Sequence, residues 1–268
     1  MVPALARNLT TAPATSSLLL LKRGEVAPLL GQWNFVAIAA LWGGLLALER
    51  SAVLQAMFSR PLVAAVGTGL LLQDVPSGLA VGFFFELFYL GGASLGGRHP
   101  DHEMLPAVMA TASSATLAAA SGAPGTPTIW AACILLFAPF GRIGRVLEEQ
   151  LDDRATRLSG KAEASAAAGN LRRAARQNLW GMWPHFFGSA LLCGAAAYVG
   201  HALAPFENQL PLKVVKALAW TYPPLCSVAA AVAVRGSNAR VAVRYAALGA
   251  LVALGIGSHV LFMRGAPS

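Results

Sequence analysis

One carboxylate, Glu86, stands inside the apolar run GLAVGFFFELFYLGG at 78–92. A carboxylate at the depth of a bilayer costs several kcal/mol unless it faces a partner or a wet cavity, so an intramembrane acid marks a functional site by default. Drawn as a helix, Gly82, Glu86, Tyr89 and Ala93 fall on one stripe, with Phe84, Phe88 and Leu95 opposite. The small, polar stripe suits a polyol, because a carboxylate can accept hydrogen bonds from two neighbouring hydroxyls, each stronger than a neutral bond. Two other uses of the same residue stay open: a structural acid paired with an arginine, and a proton carrier.

Other reactive residue types give weaker signals. HPDHE at 99–103 sets His99 and His102 three apart beside Asp101 and Glu103, types that ligate zinc on one turn. Pro100 interrupts that turn and no distant third ligand is evident, so neither a metal nor a cofactor is expected. GGASLGG at 91–97 has no following lysine in phosphate-loop spacing, and its glycines suit a bend or a close helix approach. Cys133, Cys193 and Cys226 stand singly in apolar stretches, as small buried residues do. No Ser-His-Asp or Cys-His constellation can be assembled from residues near one another in sequence, so hydrolytic chemistry has no support.

The elements that hold these residues are membrane elements. Of 268 residues 56% are hydrophobic and only 12% charged, about half the charged fraction of a soluble domain. Apolar stretches recur at 33–48, 61–73, 75–97, 104–120, 127–141, 181–205, 211–234 and 241–263. About 20 apolar residues are needed for a straight crossing, and several stretches fall short. Turn-rich breaks such as LLLQDVPSG (71–79) and SGAPGTPT (121–128) predict broken or re-entrant helices. The expected fold is an all-α polytopic membrane protein. Residues 1–32 read as a poorly ordered extension, 33–263 as the membrane domain and 264–268 as a tail.

The net charge of +8 is not distributed as on a nucleic-acid-binding face, because the main cluster of bases is interleaved with Glu148, Glu149, Asp152, Asp153 and Glu163. Eight bases lie between Arg142 and Arg176, which predicts a cytoplasmic loop at about 142–180. These bases suit anionic lipid, or the docking of a soluble partner. Ile143, Leu147 and Leu151 recur four apart and Asp153 precedes Arg157 by four, the spacing of a half-solvated helix. GKAEASAAAGN (160–170) reads as a flexible connector to a second basic helix, so that the loop forms a helical hairpin.

The order of these pieces resembles the IIC permease subunit of the mannose-class (mannose, fructose, sorbose) bacterial phosphotransferase system. SRPLVA (59–64), QDVPSGL (73–79), FELFYLG (85–91) and HPDHE follow one another as in that family. GNLRRAARQNLWGMWP (169–184) is similar to its re-entry into the membrane, and LPLKVVKAL (210–218) to a Pro-led amphipathic stretch; the likeness runs over about 33–263.

The resemblance implies an inner-membrane sugar permease, working with a membrane subunit IID and cytoplasmic IIA and IIB proteins that carry the phosphoryl group. This chain would itself carry no phosphoryl group, and would form homo- or hetero-oligomers. It implies that Glu86, with Tyr89 and Asp101, contacts a hexose-like sugar. It also implies that Asp74 is a turn and helix cap, Arg60 an interface or pairing residue, and Gly91 and Gly92 part of the bend. Gln73 where the family has Gly, Ser77 where it has Thr, and RHPD in place of a two-proline loop are departures. They leave the sugar open, and with it a non-transporting scaffold or sensor and a proton-coupled transporter.

Overall fold

The computed structural model describes residues 31–51, 56–90, 100–122, 124–207 and 209–235. Gly91, Gly92, His99, the 1–30 extension, the 241–263 stretch and the 264–268 tail lie outside these. Among the described residues there are nine helices and no strand. They are α1 (Gln32–Ser51), α2 (Pro61–Leu71), α3 (Val75–Leu90), α4 (Met104–Ser121), α5 (Pro127–Phe137), α6 (Phe140–Ala167), α7 (Leu171–Trp180), α8 (Trp183–Glu207) and α9 (Leu212–Arg235).

Among the described residues, four helical segments are long and apolar enough to cross a membrane: Met104–Ser121, Pro127–Ala167, Leu171–Glu207 and Leu212–Val234. The burial pattern is that of a protein in lipid. Leu41, Leu45, Phe83, Leu135, Leu191 and other large apolar side chains point outward, while Thr68, Ser77, Thr111, Ser113, Ser114 and Thr116 are buried. Water would not tolerate so extensive an apolar surface, whereas lipid tails do.

α4 is the axis of the bundle. Its residues from Met104 to Leu117 are buried almost without exception, and most are Ala, Ser or Thr, so neighbours approach its backbone closely. α8 does so at Gly200, where any Cβ would run into the Ser113 carbonyl and Thr116 Oγ1. The Thr116 hydroxyl donates across this contact to the Ala197 carbonyl at 2.9 Å. α1 lies along α8 on the same logic, with Gly43 seated against the Cys193 side chain and Gly194 against Ala40.

α2 and α3 have 11 and 16 residues, about 16 and 24 Å, and neither spans a hydrocarbon core of about 30 Å. They form an antiparallel hairpin packed on α4. Its tip is Leu72-Gln73-Asp74, with Gln73 in the left-handed region at φ 60°. Gly69 and Gly78 let the two helices meet near the tip, since a Cβ on either would strike the other's backbone. The tip lies beside Ser114, seven residues or about 10 Å before the end of α4, so the chain turns back inside the membrane.

α5 and α6 run on as one 41-residue helix, about 60 Å long and twice the hydrocarbon thickness. The charged C-terminal part of α6 therefore stands outside the bilayer and pairs with α7 as a helical hairpin. One expectation about this hairpin fails: the 160–170 segment is helical to Ala167 and turns only at Ala168-Gly169-Asn170, because alanine is the strongest helix former. The half-solvated helix is present, with Leu151 buried and Leu147 half-buried beside Gly188; Ile143 faces outward, and Gly141 and Gly144 complete the packed face.

Candidate functional site

Most of the charged side chains that the apolar bundle has to accommodate collect at one end: the end of α1, the start of α2, the end of α3, the 100–103 segment and the first half of α6, with Asp74 at the hairpin tip and Glu207 beside Ser121 apart from them. Arg60 is fixed there by Pro61 at the first position of α2, where proline's preset φ favours helix initiation. One turn before the end of α3 lies Glu86, and the hairpin brings the two together: Arg60 Nη2 donates to Glu86 Oε1 at 2.5 Å. The second oxygen, Oε2, accepts the Leu62 backbone N–H at 3.1 Å. Arg60 also reaches Glu103 at 3.7 Å, so one guanidinium bridges two carboxylates. The hydrogen bond to Glu86 holds the Arg60 pKa above its usual value, while burial pushes the Glu103 carboxyl up.

Glu86 is thus a paired acid. Its side chain is 21% exposed and that of Arg60 39%, so the pair is half open. A carboxylate has about four lone-pair sites, of which two are used here, and a guanidinium has five donors. Capacity remains for a hydroxylated ligand on both partners.

Tyr89 lies one turn on, buried, with its hydroxyl against Gly141 of α6, where a Cβ would displace it. Asp101 accepts from Arg145 Nη1 at 3.0 Å, and Arg145 is shared with Glu149 at 3.7 Å. Both contacts run to α6, so Glu86, Tyr89 and Asp101 gather at the end that bears the α6–α7 hairpin. The stripe drawn from sequence is rotated slightly in fact: Phe84 is buried, and the outward apolar face of α3 is Leu79, Phe83 and Leu90.

Sequence reasoning missed two features here. Glu49, 7% exposed, accepts the backbone N–H groups of Phe58 and Ser59 and closes the turn before α2. His102 is buried among Arg50, Leu105, Gly144, Glu148 and His185, around a small cavity of about 10 Å³. Its Nδ1 accepts the Leu105 N–H at 3.3 Å, a neutral imidazole's geometry, and burial, aided by Arg50, pushes its pKa down to about 4. Arg50 itself pairs with Glu148 at 3.0 Å. A carboxylate next to a chain turn and a histidine heading a helix were the available signals.

A second polar cluster sits at the hairpin tip. Asp74 is 3% exposed and heads α3, where its Oδ1 accepts the Ser77 N–H at 3.5 Å, a long capping contact. Ser77 Oγ donates to Asp74 Oδ2 at 2.6 Å and accepts the Trp130 indole N–H at 2.8 Å, with Ser114 Oγ at 3.3 Å. Gly125 lies directly over Ser77 Oγ. Trp130 packs edge-on against Tyr222 of α9 at 5.4 Å between ring centres, and Tyr222 donates to the Ala80 carbonyl at 3.0 Å. No group of His, Cys, Asp or Glu with metal-holding geometry occurs among the described residues.

Comparison with known proteins follows this geometry. The sequence model of the family described as "PTS system sorbose-specific iic component" matches residues 32–254. A solved structure titled "Structure of membrane protein" is 22% identical, covering 88% of this chain and 96% of its own, at a TM-score of 0.58. The mannose transporter ManYZ, solved with microcin E492, is also 22% identical over the same shares, at a TM-score of 0.49. No curated protein matches significantly.

Proposed function

The chain belongs to the sorbose-specific IIC family of the phosphotransferase system, and on that premise we propose that it takes up a hexose-like sugar that partner proteins phosphorylate on entry. As a sugar permease subunit it contributes the membrane path and part of the sugar site. Its partners in this reading are a IID membrane subunit, a cytoplasmic IIA/IIB phosphoryl carrier, and further copies of itself or IID in an oligomer of the bacterial inner membrane. The 140–180 hairpin, with its excess of bases, lies on the cytoplasmic side.

One observation carries the assignment of the site. The hairpin α2–α3 is too short to span, is packed against the central helix, and carries the half-open Arg60–Glu86 pair at its base. In this proposal sugar hydroxyls donate to the free lone pairs of Glu86 and accept from Arg60, with Tyr89 and Asp101 completing the surround. The pair lies at the end that would face the phosphoryl donor, which suits a sugar held for phosphorylation.

A second reading of the site is favoured by the tip cluster. A carboxylate, two hydroxyls, an indole N–H and an aromatic pair are the groups that hold a sugar ring, and Asp74, Ser77, Ser114, Trp130 and Tyr222 supply them. The two readings separate in one experiment. Glu86→Gln and Asp74→Asn are each expressed with the partner subunits, and labelled sugar uptake and sugar binding are measured on membranes. Loss of binding with Glu86→Gln alone supports the base of the hairpin. Loss with Asp74→Asn alone moves the site to the tip, and binding unchanged in both removes the hairpin from sugar recognition.

A further inference from the structure

α7 is a ten-residue helix outside the spanning segments of α5 and α4, and Asn170 starts it by accepting the Arg173 N–H at 3.1 Å. Three of its residues, Arg172, Arg173 and Arg176, are exposed, and none enters an ion pair among the described residues. Of the acids of α6, Glu148 pairs with Arg50, Glu149 with Arg145 and Asp152 with His185, while Asp153 and Glu163 enter no ion pair among the described residues. A cleft of about 460 Å³ opens between α6 and α7, lined by Leu158, Arg173, Arg176, Gln177, Trp180 and Pro184.

The chemistry of this cleft changes along its length. Arg173, Arg176, Trp180 and Pro184 follow at three, four and four residues, so two cations, an indole and an apolar ring succeed one another over about 16 Å. Beyond Pro184 the same chain presents Phe187, Leu191 and Tyr198 outward, the lipid-facing side of α8. A soluble anion would use only the cationic half of such a cleft. An acidic peptide would leave the apolar half running into the bilayer. A molecule with a phosphate at one end and hydrocarbon at the other matches all of it, and tryptophan at the boundary is where the interface lies.

We propose that the α6–α7 cleft binds one anionic phospholipid, with its phosphate between Arg173 and Arg176 and its acyl chains passing Trp180 onto the outer face of α8. The bound lipid ties the extramembrane hairpin to the bilayer surface. This inference is independent of where the sugar binds.

The full chain is purified in detergent, and bound lipid is counted by native mass spectrometry with phosphatidylglycerol or phosphatidylcholine of the same chains. Wild type should retain a single phosphatidylglycerol at least about ten times more tightly than phosphatidylcholine, whose phosphate is offset by a choline cation that the two guanidiniums repel. Arg173→Gln with Arg176→Gln should abolish this preference, and Trp180→Ala should weaken it with the charges intact. Arg172→Gln, off the cleft, should leave it unchanged and reports on folding. Equal retention of the two lipids, full retention by the double variant, or complete displacement by glycerol phosphate would overturn the proposal. So would unchanged lipid retention by the double variant coupled to loss of a soluble partner's binding, which would make this a protein-docking face.

Discussion

Arg60 and Glu86 are 26 residues apart in sequence and 2.5 Å apart in space, one at the start of α2 and the other near the end of α3. Their contact closes the base of a hairpin that cannot itself span the membrane. Glu86→Gln keeps the shape of the side chain and an oxygen to accept from Arg60, and removes the charge. It should leave the protein inserted, with uptake down by at least about tenfold, the worth of one charge-assisted hydrogen bond. Uptake by this variant at the wild-type rate would assign the pair to structure alone.

Gly200 should tolerate no side chain. Gly200→Ala places a methyl group on the Ser113 carbonyl and Thr116 Oγ1, both buried in α4. Overpacking of this kind costs about 1–3 kcal/mol, and here it also parts the helices that carry the Thr116 to Ala197 bond. A clear drop in melting temperature in detergent is expected; an unchanged melting curve would show that α4 and α8 separate freely.

Acid should weaken the protein through His102. Its folded-state pKa of about 4 lies below the ordinary histidine value, so the unfolded chain binds the proton more readily. The stability contribution is therefore intact above about pH 6.5 and is lost as pH falls toward 4. Arg50, Glu148 and His185 face the imidazole and set the local field. His102→Gln should flatten the fall in melting temperature between pH 7 and pH 4.5; an equally steep fall in the variant would place the acid sensitivity elsewhere.

The hairpin tip carries a strained residue. A left-handed backbone at a non-glycine residue costs about 1 kcal/mol or more, and Gln73 sits there at φ 60°. Gln73→Gly should keep uptake and hold or raise the melting temperature, while Gln73→Val, β-branched, should lower it by several degrees. A stabilised valine variant would mean that the tip adopts another conformation in the membrane.

Much of the architecture was legible because lipid makes composition decisive. Where they fall on described residues, the apolar stretches are helical nearly end for end, and LLLQDVPSG announced the re-entrant turn through its Pro-Ser-Gly sequel and the short runs on each side. The sequence around Glu86 named an acid that needs a partner, and Arg60 was legible as a pairing residue, but their union was not. Nothing local links positions 60 and 86; only the hairpin does. The same holds for Asp101 with Arg145 and for Ser77 with Trp130, 44 and 53 residues apart. The burial of His102 was not legible for a related reason: HPDHE is polar throughout apart from Pro100, yet the backbone bond from His102 N–H to the Gly141 carbonyl draws the ring beneath α6. Where alanine was taken for a flexible connector, intrinsic helix propensity was given too little weight.

The central claim, a permease subunit for sugar uptake coupled to phosphorylation, is tested most directly in membrane vesicles that hold this chain, its IID partner and the soluble phosphoryl carriers. Labelled hexoses are offered with and without phosphoenolpyruvate, and the chemical form inside is determined. The account predicts that at least one hexose accumulates as its phosphate, only with phosphoenolpyruvate and only when this chain is present. Accumulation of free sugar abolished by an uncoupler, or no phosphoenolpyruvate-dependent uptake of any hexose by a correctly assembled complex, would contradict it.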